Sequence, residues 1–304
     1  MDLKDMRQFQ AVAEERNFSR AAERLHMAQP PLSRQIKALE VELGTPLFVR
    51  TAKGVDLTEA GQTLLSEVPR LLLLAQRAKD RTRRAGWGEI GQLEVGLFGS
   101  GVLDVIPRLL ARFHAERPEV RIVLHNMTKP EQLQALRERR ISVGFNRLVP
   151  PEDDIVVETV LRESLAVAVH ASHPLAQRTR IRIADLAGES LILYPNVLPM
   201  PSLAQEVIKA FRQENVEAKV EQEVEDVLTA IALVASGFGL AVTTRSASSL
   251  RLPGVVFRPL HSRYLRDLEL SCLYRRDDAS PVLAAFIQVV RDYAGQSQNN
   301  VTKD

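Results

Sequence analysis

The sequence predicts a multidomain α and α/β protein with an N-terminal helix-turn-helix and wing, a long connecting helix, and two linked α/β units. Three observations carry this. Residues 16–58 read as two short helices around a tight turn, followed by a basic hairpin. From Thr58 to about Arg84 small or apolar positions alternate spacings of three and four. Beyond Gln92 short β runs alternate with helices.

In the first segment Ser19 reads as the N-cap of a helix through Leu25, and the chain re-enters helix near Gln29 to Pro31. A proline fits there because first-turn N–H groups have no intrahelical partner. Leu32, Ile36, Leu39 and Leu43 then form one stripe, expected to be buried, and Gly44 stops the helix with Pro46 beyond. At about 100° per residue, Arg34 and Lys37 lie roughly opposite Leu32, with Gln29, Pro30, Pro31 and Ser33 at the helix start. Arg can read guanine and Gln adenine in the major groove, while Ser and Lys reach bases or phosphates. Leu47 to Val49 and Val55 to Leu57 are expected to pair around Arg50-Thr51-Ala52-Lys53-Gly54, with Arg50 and Lys53 as wing cations on the turn. Between Arg16 and Lys53 stand seven Lys or Arg against three Glu, whereas the whole chain carries only +2, so positive charge is placed locally. Helix pairs with solvated arginine faces also occur in proteins that never touch DNA, and pattern alone leaves that open.

Phe18-Ser19-Arg20-Ala21-Ala22, Gln29 through Ile36, Leu39-Glu40, Leu43-Gly44, Leu47-Phe48-Val49-Arg50 and Leu57-Thr58-Glu59-Ala60-Gly61 together resemble the N-terminal signature of LysR-type transcriptional regulators. The resemblance implies a winged helix-turn-helix over residues 1–58, a linker and dimerisation helix with its hinge over 59–91, and an effector-binding domain over 92–304. That last domain would be periplasmic-binding-protein-like, with subdomain I at about 92–163 and 266–304 and subdomain II at about 164–265. It also carries DNA-contact roles to Gln29, Pro30, Ser33 and Arg34, with Arg50 and Lys53 as wing or phosphate contacts. A double-stranded operator, a small effector, a second copy of the chain (a tetramer of two dimers) and RNA polymerase are the implied partners.

The connecting helix presents Gly61, Leu64, Val68, Leu71, Ala75, Ala78 and Thr82 as a coiled-coil-like seam. Leu64, Val68, Leu71, Ala75 and Ala78 are the expected dimerisation positions; the alternative is an amphipathic helix packed on its own domain. Pro69 lies inside this pattern and is expected to kink the helix or break it in two. Three glycines in Gly86-Trp87-Gly88-Glu89-Ile90-Gly91 mark a boundary. Strands follow at Leu93 to Leu97, Val120 to Leu124 and Val143 to Phe145, with helices to about Arg117 and Arg139. A second set has strands near Leu165 to Val169, Leu191 to Tyr194, Val220 to Glu223 and Leu240 to Val242, and helices near Leu203 to Asn215 and Asp226 to Ser236. A strand at Leu268 to Tyr274 and a helix from Pro281 to about Ala294 close the chain, with the polar tail from Gly295 to Asp304 expected to be disordered.

Paired α/β units hold ligands at the carboxyl ends of their strands. Gly99-Ser100-Gly101 precedes a helix there, and Thr128-Lys129-Pro130-Glu131 and Pro201-Ser202-Leu203-Ala204-Gln205 have the form of capping boxes. Helix starts attract carboxylates through free N–H groups and the helix dipole, and Arg147 could add a charge-assisted partner. Equally, such Ser and Thr residues can simply cap. Gly99-Ser100, Thr128-Lys129, Gly144-Phe145, Arg147-Leu148, Ala168 through Leu175 and Leu193-Tyr194-Pro195 further resemble the benzoate-, muconate- and chlorocatechol-pathway branch of the LysR type. That resemblance implies an effector site at Ser100, Thr128, Pro201 and Leu203 with Arg147, to which adjacent Gly101 and Ser202 are added. Three positions depart from the branch: Leu203 replaces an aromatic, Asn146 a glycine, and Thr243-Thr244 a Val-Pro pair. The expected ligand is a small carboxylated intermediate of aromatic catabolism, such as muconate, benzoate or a chlorinated analogue.

Enzyme motifs fail on inspection. Residues 98–102 lack the spacing of a nucleophile elbow, and Gly237-Phe238-Gly239 leads into a strand and reads as a helix stop rather than a dinucleotide site. His170 and His173 precede Pro174 at a strand end and read as exposed turn residues, not metal ligands. The lone Cys272 sits in an apolar strand, reads as core, and fits a reducing compartment. No stretch reaches the ~18 apolar residues of a membrane span, and the first residues carry both charge signs, so cytoplasmic location, no membrane partner and no metal or organic cofactor are expected. The leading expectation is an activator of aromatic catabolism genes. The alternatives are a solute-binding protein, which the C-terminal half alone would resemble, and a regulator of an unrelated metabolic operon with a different effector.

Overall fold

The computed structural model describes residues 1–52, 54–195 and 200–301, with 297–301 described by backbone alone. The chain forms two compact units, Met1–Arg84 and Ala85–Asp304. In the first, α1 (Leu3–Glu15), α2 (Phe18–Arg24) and α3 (Gln29–Leu43) precede an antiparallel hairpin of β1 (Phe48–Thr51) and β2 (Gly54–Leu57), and α4 (Glu59–Gly86) follows. Phe9, Val12, Ala21, Leu32, Ile36 and Leu47 are buried together. The Phe48 ring lies against Phe9 and Phe18, with centroids 5.3 and 6.0 Å apart.

Several local expectations need correction. The N-cap of α2 is Asn17, not Ser19: the Asn17 side-chain oxygen accepts from the N–H groups of Ser19 and Arg20 at 2.9 and 3.2 Å, so Ser19 already lies inside the first turn. Leu43 is 39% exposed rather than buried, because the last turn of α3 overruns a core that closes at Leu39. Gly44 does end the helix, in the left-handed region at φ 69° that favours glycine. Arg50 belongs to a strand rather than to the wing turn, paired with Val55, because the ladder runs from Phe48↔Leu57 to Thr51↔Gly54. Lys53 lies outside the described residues.

α4 continues through Pro69 without breaking. The proline is exposed, so its missing N–H removes one backbone hydrogen bond from the solvent side, while Thr63 and Ser66 hydroxyls donate to carbonyls one turn back. Gly61 lets α4 cross the chain closely, since a Cβ there would collide with the Leu47 carbonyl. The expected seam is divided. Val68 is fully buried and Leu64 half-buried in the core of the first unit, which removes Val68 from any intermolecular face. Further along, Leu71, Leu73 and Leu74 are 38%, 51% and 64% exposed, Ala75 is half-buried and Ala78 exposed.

The second unit contains two sheets. Its chain runs β3 (Ile90–Leu97), a 3-10 turn (Ser100–Leu103), α5 (Val105–Glu116), β4 (Glu119–Asn126), α6 (Lys129–Arg137), β5 (Val143–Arg147) and β6 (Ile155–Glu163), which make subdomain I. Subdomain II follows with β7 (Leu165–His170), β8 (Ile181–Arg182), β9 (Ser190–Leu193), α7 (Leu203–Gln213), β10 (Lys219–Glu223), α8 (Val227–Ala235), β11 (Leu240–Thr244) and β12 (Val255–His261). The chain then returns to subdomain I as β13 (Leu268–Arg275) and α9 (Pro281–Val301). The strand orders are β4-β3-β5-β13-β6 and β10-β9-β11-β7-β12-β8. In each, three neighbouring strands are parallel (β4-β3-β5 and β10-β9-β11) and the next two, β13-β6 and β7-β12, join antiparallel. Phe113 and Phe145 meet Phe286 of α9 edge-on in the first core, and Val207 and Phe211 of α7 fill the second against Leu191 and Leu240.

Strands β6 and β12 were not anticipated. β6 is separated from β7 by Ser164 alone, with no turn residue to punctuate them, and Pro259 within β12 argues against a strand on sequence grounds. The tail is not disordered from Gly295: α9 carries on to Val301, beyond which residues 302–304 are not described. No helix among the described residues is long and apolar enough to cross a membrane.

Candidate DNA-binding face and effector site

The start of α3 projects from the first unit because Leu32, Ile36 and Leu39 tie its opposite face to the core. Gln29, Pro30, Arg34 and Lys37 are exposed, and Pro31 and Ser33 half-buried. Ala28 caps α3 without a side-chain bond, and Pro30 and Pro31 have no N–H to leave unsatisfied in its first turn. The Ser19 hydroxyl donates to Gln29 Oε1 at 3.3 Å, which orients the amide from α2. Lys37 Nζ pairs with Glu40 at 3.3 Å, and the other Glu40 oxygen accepts the N–H groups of Leu47 and Phe48, so one carboxylate links this face to the start of the wing. The guanidinium groups of Arg34 and Arg50 have no hydrogen-bond or ion-pair partner among the described residues. A cationic face held by a packed stripe suits phosphate and base-edge contacts.

In the second unit the parallel strands end at one junction between the subdomains. β3 leads into Ser100, β4 into Thr128, β5 into Arg147, β9 into Tyr194 and β11 ends on Thr244. Ser100 is buried and its hydroxyl lies 2.6 Å from that of Thr244, a direct tie across the subdomains. Gly101 is buried against Ile106 and Leu270, where a side chain would be tight. Burial pushes the Tyr194 hydroxyl up to about 12. Leu103 of subdomain I packs into the cluster around Ile192 and Ala241, and Met200 of subdomain II packs against the cluster around Leu133 and Leu136.

The other expected effector residues are arranged differently from one another. Thr128 is exposed and its hydroxyl donates to Glu131 at 2.8 Å, which also accepts the Thr128 N–H, so the side chain is committed to its own capping box. Ser202 caps α7 in the same way, accepting from the Gln205 N–H at 3.2 Å. Leu203 packs on the subdomain II core. Arg147, expected to offer a free charge, is ion-paired with buried Glu163 and donates to the Leu268 carbonyl. The other Glu163 oxygen accepts the Ser246 N–H of subdomain II, so the charge of Arg147 is already matched.

Lys129 is the residue that sequence reasoning passed over. It is only 9% exposed, and its Nζ donates to the Leu148 carbonyl at 2.9 Å and to the Pro201 carbonyl, across the junction, at 2.6 Å. Burial lowers its pKa to about 8. A lysine at the first position of a helix opposes the dipole, and that misfit in Thr128-Lys129-Pro130-Glu131 was the available signal. Asn146 is also buried, with its Nδ2 unpaired. His170 and His173 are half-buried rather than exposed. His170 bonds Ser172, and His173 caps the turn at Leu175 and pairs with Glu189. Cys272 is fully buried, which pushes its thiol up.

A DNA-reading head joined to a two-subdomain ligand-binding module defines the class: a ligand-responsive regulator of transcription. Residues 3–62 match the bacterial regulatory helix-turn-helix protein of the lysR family, and residues 88–295 match the LysR substrate binding domain. The chain belongs to the LysR family of transcriptional regulators. It is 38% identical to the HTH-type transcriptional regulator ClcR of Pseudomonas putida, covering 95% of this chain and 98% of that one. The crystal structure of CbnR, a LysR family transcriptional regulator, superposes with a TM-score of 0.88 at 36% identity over 96% of this chain and 100% of CbnR, and CbnR has also been seen complexed with its target DNA. The BenM effector binding domain with its effector benzoate matches at 29% identity and TM-score 0.61, covering 68% of this chain and 94% of that one.

Proposed function

We propose that this regulator binds its operator through the exposed start of α3 and the wing, as at least a dimer, and that a small carboxylated intermediate of aromatic catabolism is its effector. The observation that carries the effector half is the junction itself. Carboxyl ends of parallel strands from both subdomains meet around buried donors, Lys129 and Asn146, that no acidic side chain of the junction satisfies. The exposed Leu71 and Leu74 on α4 support pairing of two copies. BenM with benzoate and CbnR with its target DNA support both halves by kinship. The effector acts by binding one arrangement of the subdomains more tightly than another, since equal affinity for both would shift nothing. The protein works in the cytoplasm with RNA polymerase, without a metal or organic cofactor.

A footprint on DNA upstream of the neighbouring operon, with and without benzoate and cis,cis-muconate, tests the whole reading. Protection of an inverted repeat that changes in extent with one carboxylate is the expected result. Protection indifferent to every carboxylate removes the effector class and leaves the DNA-binding half standing.

A further inference from the structure

The junction leaves a positive charge that the protein itself does not answer. Lys129 is buried, and among the described residues no carboxylate lies within ion-pair distance of its ammonium; its two acceptors are the Leu148 and Pro201 carbonyls. It stands at the first position of α6, where the helix dipole is positive, and Pro201 immediately precedes the N-cap of α7, a second positive end. The Glu163 carboxylate is not available to answer Lys129, because it is paired with Arg147.

A separate observation points to the same place. Asn146 is 7% exposed and its Nδ2 has no acceptor. It shares a face of β5 with Gly144, whose missing Cβ would meet Gln132 of α6, so Asn146 lies on the face that α6 covers, and Lys129 begins that helix. Two residues on, the Leu148 carbonyl holds Lys129. Lys129 and the Asn146 Nδ2 are buried donors without an anionic acceptor, since Glu131, the acidic residue in the first turn of α6, is bonded to Thr128, and leaving such groups unmatched is costly.

We infer that Lys129 is the counter-charge for the effector's carboxylate, exchanging its bond to the Pro201 carbonyl for one to the ligand while Asn146 Nδ2 donates to the same anion. This rests on the reading that a carboxylated effector occupies the junction. The exchange would replace a direct tie between subdomain I and the entry of α7 by one that runs through the ligand, so occupancy and subdomain geometry become linked at one side chain.

The test is calorimetric titration of the full-length protein with benzoate, cis,cis-muconate and, as an uncharged counterpart, benzamide. Lys129→Met should weaken carboxylate binding at least tenfold while moving benzamide less than threefold, and Lys129→Arg should keep most of the carboxylate affinity. A second measurement needs no variant: in protein labelled with ¹⁵N-lysine, the Lys129 ammonium resonance should shift with the carboxylate and not with benzamide. Carboxylate binding that survives Lys129→Met, or a Lys129 signal indifferent to a bound carboxylate, overturns the role of Lys129 and leaves the effector reading intact. Wild-type protein that binds neither carboxylate overturns the effector reading and Lys129 with it.

Discussion

Arg34 and Arg147 carry the same charge and differ in everything around it. Arg34 is exposed on α3 and unpaired among the described residues, so it is free to form a bidentate contact. Arg34→Ala is expected to cost roughly 1–3 kcal/mol of specific DNA affinity and to relax one base preference, as read by competition between operator and random DNA; an unchanged preference assigns Arg34 to phosphate alone. Arg147 was an attractive ligand partner in the sequence because it follows a strand end at the expected cleft, and its partner Glu163 lies a strand away. Lys129 was legible only as an oddity. Its titration has a worked sign: burial lowers its pKa from 10.5 to about 8, so on raising the pH the folded chain sheds this proton before the unfolded chain does. Wild type should therefore gain stability relative to Lys129→Met between about pH 7.5 and pH 9.5, measured by urea unfolding at each pH, and parallel curves would mean that Lys129 is solvated.

At the scale of elements, the caps of α6 and α7 and the stop of α3 were read correctly and the cap of α2 was not. Asn17 and Ser19 are both good N-cap types two residues apart, and sequence offers no way to choose; the structure gives two hydrogen bonds to Asn17. Asn17→Ala should destabilise the first unit by about 1 kcal/mol, whereas Ser19→Ala should change its denaturation midpoint little. The seam of α4 was legible as a period but not as a partner, because three- and four-residue spacing serves an intramolecular core and an intermolecular one alike. Val68 took the first and the exposed leucines beyond it remain for the second. Leu74→Asp is expected to shift the protein toward monomer in sedimentation without lowering the melting of the first unit. β12 escaped notice for a physical reason too: a strand with Pro259 forgoes one ladder donor, a price the sequence advertises and the surrounding sheet conceals.

On the scale of the molecule, separate cores in the two compact units imply separable unfolding. Phe9→Ala should destabilise one calorimetric transition by roughly 3–5 kcal/mol. Glu163→Gln, which leaves Arg147 buried without a counter-ion, should lower the other by about 3–5 kcal/mol; a single transition shifted by both would show that the units melt together. Most of the order of strands and helices was readable from the sequence, β6 and β12 excepted. What the sequence did not disclose was which ends would meet across 144 residues, as Ser100 and Thr244 do. Thr244, in one of the positions read as departing from the muconate branch, is half of that contact, and Asn146, in another, stands next to last in β5.

The two passages between the subdomains also run side by side. β6 reaches β7 through Ser164, and the return enters β13 at Leu268, the register partner of Glu163, while the Ser164 carbonyl holds the Arg245 N–H at 3.0 Å. Adjacent crossings at element ends place the residues that absorb a hinge rotation side by side. The two crossings thus act as one hinge rather than two. Ligands of unlike shape would then be told apart chiefly by how far apart they hold the subdomains.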